Sequence, residues 1–409
     1  MSASFRLSDL GAERTVLLWM CVLIFVNQLG FGGIVPAMPL YAESFGISAS
    51  AIGLAVAIYG LARAVIAMPT GQLCDRLGRR PTLAIGGAIS ALGNLWCAET
   101  DSFVWFLIAR FVAGAGAGLV LTAGQVVLAD ISRAPYRARM MAIYQGVFLF
   151  AVGMGPLPGG WLAAEYGLTA PFYAYTVAAV VVGVLAFIAV PETRDFKATG
   201  SQATTNAVPR VPFKTQVAQL MRDLGFVLAG LVSFVNAFTR TGALFAIVPL
   251  YGATQLGLST TEVGFAIATA SIAGLVVTYP AGAIADRYGR KMVIVPMLVV
   301  MAGSYALYAS ATTFLWFILA SLAWGIAAAA SGSTPAAYAA DRAPPGMNAA
   351  AMSTFRLLGD MGYVVGPILM GVIVDLADAE TAFVVSAGTL LLVGALFARW
   401  APESGRRGA

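Results

Sequence analysis

The chain has 409 residues, 59% hydrophobic and 11% charged, with a formal net charge of +5. A soluble domain of ordinary composition carries about 25% charged residues, and a larger core cannot absorb the deficit because surface must face something. The composition therefore argues against a soluble globular protein and for a surface that faces lipid.

The basic balance does not point to nucleic acid, because Lys and Arg gather in particular loops and not on one face or tail. With no histidine, no imidazole metal site or histidine proton relay exists. Cys21, Cys74 and Cys97 suggest no disulfide framework.

Apolar segments of about 20 residues, the length that crosses a hydrocarbon core of about 30 Å, recur along the chain. The first follows a mixed-charge N-terminus and runs for about 26 residues. A signal-peptide core is about 7–15 residues, so this run reads as an uncleaved spanning helix. Twelve spans are expected, at 15–40, 49–72, 81–98, 103–129, 140–165 and 170–191, then 224–250, 260–283, 292–311, 314–340, 350–374 and 381–399. Backbone amides in lipid must be satisfied internally, so these should be helices. Pro191 to Asp223 has a linker composition, with a short amphipathic piece near 213–221. The expected division is a six-helix bundle over 1–192, a cytoplasmic linker over 193–223, and a second bundle over 224–409.

With a cytoplasmic N-terminus, the connections on the outer side hold Glu43, Glu99, Asp101, Glu165, Glu262, Asp375, Asp378 and Glu380, and no Lys or Arg. The other side holds Arg76, Arg79, Arg80, Arg133, Arg137, Arg139, Arg287, Arg290, Lys291 and Arg342. The positive-inside rule then places both termini in the cytoplasm.

The first basic connection reads Gly71-Gln-Leu-Cys-Asp75-Arg76-Leu-Gly78-Arg79-Arg80, and an offset of 211 gives Gly282-Ala-Ile-Ala-Asp286-Arg287-Tyr-Gly289-Arg290-Lys291. The same offset maps Gly53 to Gly264, Pro69 to Pro280, Gly114 to Gly325, Asp130 to Asp341, and Gly155-Pro156 to Gly366-Pro367. Six spans return the chain to its starting side, so the halves run in the same sense, a parallel repeat known in transporters.

In these motifs the sequence resembles the major facilitator superfamily, and within it the twelve-helix drug:proton antiporters, over essentially the whole chain. The Gly71–Arg80 stretch looks like the family's signature between helices two and three. Arg110 with Gly114 looks like its helix-four motif, and Gly155-Pro156-Leu-Pro-Gly159-Gly160 like the helix-five antiporter motif. Two departures stand out: Ala151 replaces the opening glycine of the third motif, and helix one offers Asn27 and Gln28 where many drug antiporters carry an acid. The resemblance implies an all-α membrane protein with two pseudo-symmetric six-helix bundles, working as a secondary transporter.

The residues support specific readings. Glycines at 71 and 78 permit a tight turn and close helix approach. Asp75 can face a helix N-terminus or an arginine. With Arg76, Arg79, Arg80, Asp286, Arg287, Gly289 and Arg290 this forms either a cytoplasmic gate or only a topological anchor. Gly155, Pro156, Gly159 and Gly160 form a bend or close packing surface, with or without exporter meaning.

Away from the span ends, four arginines (Arg63, Arg110, Arg240, Arg356) and one carboxylate (Asp360) fall within spans. Intramembrane charges cost at least about 2.5–3.5 kcal/mol on insertion scales and need partners or a wet cavity. Arg110, Gly114, Gly118, Leu121 and Gln125 share one face, suited to a cavity wall. Arg356 and Asp360 are spaced i, i+4 and can pair. Either that pair is structural, or Asp360 couples protons with help from Arg356 and Arg110. Arg63 and Arg240 either bind an anionic substrate group or serve structure. Asn27, Gln28, Tyr59, Gln125, Gln145, Asn236, Thr239 and Tyr363 are further candidates for a substrate cavity, although each alone is more often an interhelical hydrogen bond.

No Gly-x-x-x-x-Gly-Lys-Ser/Thr loop appears, so ATP is not the direct energy source. The expected function is proton-coupled export of a small organic or amphipathic compound by alternating access, in the inner membrane, by a monomer with no cofactor. The rivals are an importer or facilitator of a metabolite, nutrient or lipid, and a non-transporting receptor or scaffold.

Overall fold

The computed structural model describes residues 12–131, 137–193, 213–344 and 347–403, with positions 12, 137–139, 213, 214, 286, 331–333, 348 and 349 described by backbone alone. Arg133, the side chains of Arg137, Arg139 and Asp286, and most of the expected linker lie outside the described residues.

All regular structure among the described residues is helical. The first half comprises α1 (Ala12–Ile34), α2 (Met38–Glu43), α3 (Ala49–Leu77), α4 (Arg79–Glu99), α5 (Phe103–Ile131), α6 (Arg137–Met154), α7 (Pro156–Tyr166) and α8 (Ala170–Ala189). A short helix, α9 (Phe213–Leu220), precedes α10 (Leu224–Thr239), a π-helix (Arg240–Ile247) and α11 (Val248–Thr254). Then come α12 (Thr260–Tyr288), α13 (Lys291–Ala309), α14 (Phe314–Asp341), α15 (Asn348–Leu376) and α16 (Ala379–Trp400).

Eleven helical segments among the described residues are long and apolar enough to cross a membrane. The twelfth span is α4, which starts on Arg79-Arg80 and carries Ser90 and Asn94. Large apolar side chains such as Met68, Val177, Ile188 and Val276 are exposed on helix surfaces. In water that would be a liability; in a bilayer it is the lipid face.

Three expected spans are interrupted. The first breaks at residues 35–37, where Pro36 removes an amide and clashes with the preceding turn. The fifth breaks at Gly155, with Pro156 opening α7. The seventh passes through the π-helix before Pro249, whose missing amide leaves the preceding turn free to widen.

The chain forms two compact units. One contains the described residues of Met1–Ile34 and Ile58–Thr205; the other contains those of Val35–Ala57 and Asn206–Ala409. The helix α3 therefore starts in the second unit and ends in the first. In the first unit α4 packs on α5 and α8, and α1 on α6 and α8. In the second, α13 packs on α14 and α16, and α10 on α15. These pairings repeat the sequence offset, as expected of a duplicated six-helix bundle.

Candidate functional site

The basic motif is almost entirely helical. α3 runs to Leu77 and α4 begins at Arg79, so the turn is Gly78 alone, at φ +100°. Only glycine adopts that angle readily, and a Cβ there would lie 2.5 Å from Glu192 Oε2. Gly71, expected as a turn residue, is helical, and a Cβ there would meet nothing within 4 Å.

Arg79 is the hub of this turn. Its Nε donates to Asp130 Oδ2 at 2.8 Å, and its Nη1 donates to Cys74 O at 3.1 Å and Asp75 Oδ1 at 3.2 Å. Asp75 thus faces the arginine, and its side chain is 74% exposed. The carboxylate on the α4 N-terminus is Glu192, just beyond α8. Its Oε1 accepts from the amides of Arg79 (2.9 Å) and Thr193 (3.0 Å), and its Oε2 from that of Arg80 (3.1 Å). Thr193 Oγ1 in turn donates to Asp130 Oδ2 at 3.2 Å. The N-terminal amides of a helix attract anions, which explains the placement. The Arg80 guanidinium lies 4.7 Å from the Phe187 ring centroid.

The second unit repeats this staple. Gly289 has φ +106°, and a Cβ there would meet Glu403 Oε1 at 2.5 Å. Glu403 Oε1 accepts from Lys291 N at 3.1 Å, Arg290 Nε lies 3.4 Å from Asp341 Oδ2, and Arg290 Nη1 donates to Ala285 O at 3.0 Å. Arg287 sits over the ring of Tyr288 at 5.2 Å. Glu192 and Glu403 are the residues of these two turns that motif reading missed. The signal was present, since Pro191-Glu192 and Pro402-Glu403 stand at the same offset of 211.

Deeper in the first unit a polar cluster is sealed in the core. Asn27 Nδ2 donates to Gln28 Oε1 at 2.9 Å, Tyr175 OH donates to Asn27 Oδ1 at 3.4 Å, and the Tyr59 and Tyr175 hydroxyls are 3.4 Å apart. Arg110 is 3% exposed and stacks over Tyr59 at 4.5 Å, while Phe31 stacks on the same Tyr59 ring at 5.1 Å. Asn27, Gln28, Tyr59 and Arg110 are thus brought together, but no open surface is presented by any of them. Arg63 and Gln125 are half-buried, and Gln145 is exposed.

The small-residue strip on α5 corrects the expectation of a cavity wall. A Cβ at Gly114 would meet Tyr59 O at 2.5 Å, and one at Gly118 would meet Ile66 Cγ2 and the Arg63 backbone. The strip is the seat of α3, and glycine there lets two backbones approach. The antiporter-type glycines work the same way. A Cβ at Gly155 would meet Leu29 O at 2.5 Å, and one at Gly159 would overlap the Gly33 backbone. They form a seam with Gly32 and Gly33 of α1, while Pro156 and Gly160 are buried beside it.

In the second unit, Arg240 opens the π-helix and Asn236 lies one turn earlier, both half-buried. Tyr305 OH donates to Thr239 O at 2.8 Å and accepts from Trp324 Nε1 at 3.1 Å. Thr241 Oγ1 donates to Tyr363 O at 3.1 Å, joining the π-helix to α15. A Cβ at Gly242 would meet Gly366 O at 2.6 Å. Asp360 and Arg356 approach to 3.9 Å on α15, with side chains 50% and 60% exposed. Among the described residues, no group of three or more Cys, Asp or Glu could hold a metal ion.

Outside the spans, Asp223 caps α10 by accepting from Phe226 N at 2.8 Å, and its two oxygens accept from Nε and Nη2 along one edge of the Arg342 guanidinium. Burial pushes its carboxyl up, but the Arg342 and Phe226 hydrogen bonds outweigh this and hold it below the usual range.

Comparison with known proteins agrees with this architecture. The family description "Major Facilitator Superfamily" matches residues 20–235 and 229–408. An uncharacterized MFS-type transporter of Methanocaldococcus jannaschii is 24% identical over 382 residues, covering 93% of this chain and 96% of that protein. The quinolone resistance protein NorA of Staphylococcus aureus is 27% identical over 255 residues, covering 61% of this chain and 62% of NorA. A crystal structure of a mutant of the nucleoside transporter NupG superposes with a TM-score of 0.76 at 16% identity, covering 94% of this chain and 100% of that one. The chain is a multi-pass membrane transporter, not an enzyme, and belongs to the Major Facilitator Superfamily.

Proposed function

We propose that this transporter exports a small organic, amphipathic compound in exchange for protons, by alternating access. The observation that carries the coupling is the Arg356–Asp360 pair. Asp360 is the one carboxylate expected near the middle of a span, and Arg356 stands one helical turn away at 3.9 Å, with both side chains half-exposed. A carboxylate beside an arginine can gain or lose a proton as its surroundings open and close. Arg110 would tune that exchange. Similarity to NorA, a protein named for quinolone resistance, supports export.

The half-buried Arg63 and Arg240 would engage a negatively charged or strongly polar group of the substrate, with Asn236, Gln125, Gln145 and Tyr363 as neutral contacts. Asn27, Gln28 and Tyr59 would take part only if their cluster opens. The twin staples at Gly78 and Gly289 would form the cytoplasmic gate. The charge asymmetry of the loops supports cytoplasmic termini; the protein would sit in the inner membrane as bundles over 1–192 and 224–409 and act as a monomer.

The test is substrate flux in proteoliposomes with and without an imposed pH gradient. Gradient-driven flux that Asp360→Asn abolishes, while Asp360→Glu retains part of it, supports antiport. Flux indifferent to the gradient and to Asp360→Asn defeats antiport in favour of facilitated transport of a metabolite. The scarcity of intramembrane carboxylates gives that second reading its weight.

A further inference from the structure

The first amides of any helix need acceptors from outside the helix. At α3 the preceding Ser48 offers only a long contact, with its Oγ 3.4 Å from Ala51 N and 2.9 Å from Ser50 Oγ. The acceptor comes from far along the chain. Asp375, in the last turn of α15, takes Ala49 N on Oδ1 at 2.7 Å and Ser50 N on Oδ2 at 3.0 Å.

The repeat shows what is unusual here. At the offset of 211, Ser48 corresponds to Ser259 and Ala51 to Glu262. α12 is capped by its own residues: Ser259 Oγ accepts from Glu262 N at 3.2 Å, and Glu262 Oε2 accepts from Ser259 N at 2.8 Å. That is a complete capping box. α3 has Ala51 where the box needs Glu, so one repeat caps its helix locally and the other borrows a carboxylate from α15. The two helices are also in close backbone contact at this end. A Cβ at Gly53 would overlap the Pro367 carbonyl, and one at Gly371 would lie 2.6 Å from Ser50 Cα.

We propose that Asp375 is the positioning residue that ties the ends of α3 and α15 together at the face opposite the basic turns, and so favours the state in which that face is shut. This rests on the alternating-access reading and on that face being the outer one. Because α3 starts in one compact unit and ends in the other, a movement of one unit must either carry its first turn away from α15 or deform the helix. The two charged hydrogen bonds exist only while the ends stay together. Losing them when the face opens shifts the equilibrium toward the shut state by about tenfold. The glycines permit the approach; the carboxylate makes it selective for one state.

The experiment uses the full chain with Cys21→Ala, Cys74→Ala and Cys97→Ala, and a reporter at Ile52→Cys. Ile52 lies in the same turn of α3 and is 2% exposed. A membrane-impermeant maleimide is added from outside and the labelling rate measured. Asp375→Asn is expected to raise that rate about tenfold. Adding Ala51→Glu gives α3 the local box that α12 has. It should restore the thermal midpoint and leave labelling fast, because it caps the helix without binding α15. A labelling rate unchanged by Asp375→Asn overturns the proposal. So does a return of both midpoint and labelling to the parent values with Ala51→Glu, which would make Asp375 a simple cap. Labelling needs no substrate, so a failure of export leaves this result standing.

Discussion

Glu192→Gln is the sharpest probe of the basic turn. The substitution preserves shape and removes one negative charge. In the native structure one carboxylate serves three amides, with Oε1 on Arg79 and Thr193 and Oε2 on Arg80. A glutamine whose oxygen stays on Arg79 and Thr193 turns its NH2 toward the Arg80 amide, donor against donor. One charge-assisted bond is lost, worth about 1.5–3 kcal/mol, and the interaction with the α4 N-terminus weakens by about 0.3–1 kcal/mol. Glu192 is exposed, so solvent screening and water replacement reduce the sum. The expected loss is about 1–2 kcal/mol, or a fall of about 2–8 °C in the unfolding midpoint at roughly 200 residues per half. The assay is thermal unfolding in detergent followed by tryptophan fluorescence, with Glu192→Asp as a control that keeps the charge. A Glu192→Gln midpoint within about 0.5 °C of the parent would show that water serves these amides as well as the carboxylate does, and the staple would be decorative.

Two further outcomes follow from the same geometry. Gly159→Leu should abolish stable insertion, because the side chain has to enter the Gly33 backbone. Gly71→Ala, in the equally prominent basic motif, should leave expression and transport near parent levels, since nothing lies within 4 Å. Membrane yield and flux check both, and a harmless Gly159→Leu would refute the seam. Asp223 is held below its unfolded value of about 3.9, so its stabilising contribution is complete above that pH and disappears as pH falls through the lower folded value. Asp223→Asn should therefore lower the midpoint at neutral pH and flatten its decline below about pH 4. An acid limb identical to the parent's would count against the Asp223–Arg342 pair as its source.

Span count, repeat and family were legible because each is written in one dimension. Length sets the spans, the offset sets the repeat, and Gly78-Arg79-Arg80 with Gly289-Arg290-Lys291 sets the turns. What was not legible depends on which face of a helix meets which neighbour. Gly114 and Gly118 read as a smooth wall because periodicity gives a face but not its occupant, and the occupant is α3. Gly155 and Gly159 read as a bend or a close-packing surface, but their partners Gly32 and Gly33 lie on α1, more than a hundred residues earlier. The π-helix at Arg240–Ile247 left no periodic trace, since it changes hydrogen-bond register and not apolarity. Glu192 was passed over because its neighbours have linker composition, although Pro-Glu recurs at the same offset.

The position of Glu192 also has a consequence for biosynthesis. The Gly78 turn leaves the ribosome early, but the carboxylate it requires sits 113 residues after Arg79, beyond the sixth membrane pass. Until that pass is inserted, the first amides of α4 and the Arg79–Asp130 pair lack their closing partner. Glu403, 112 residues after Lys291, stands in the same relation to the second set of passes. Each half thus carries its own completion signal at its trailing end. The first can be sealed while the second is still being made, as expected of a chain whose domains fold as units from the N-terminus.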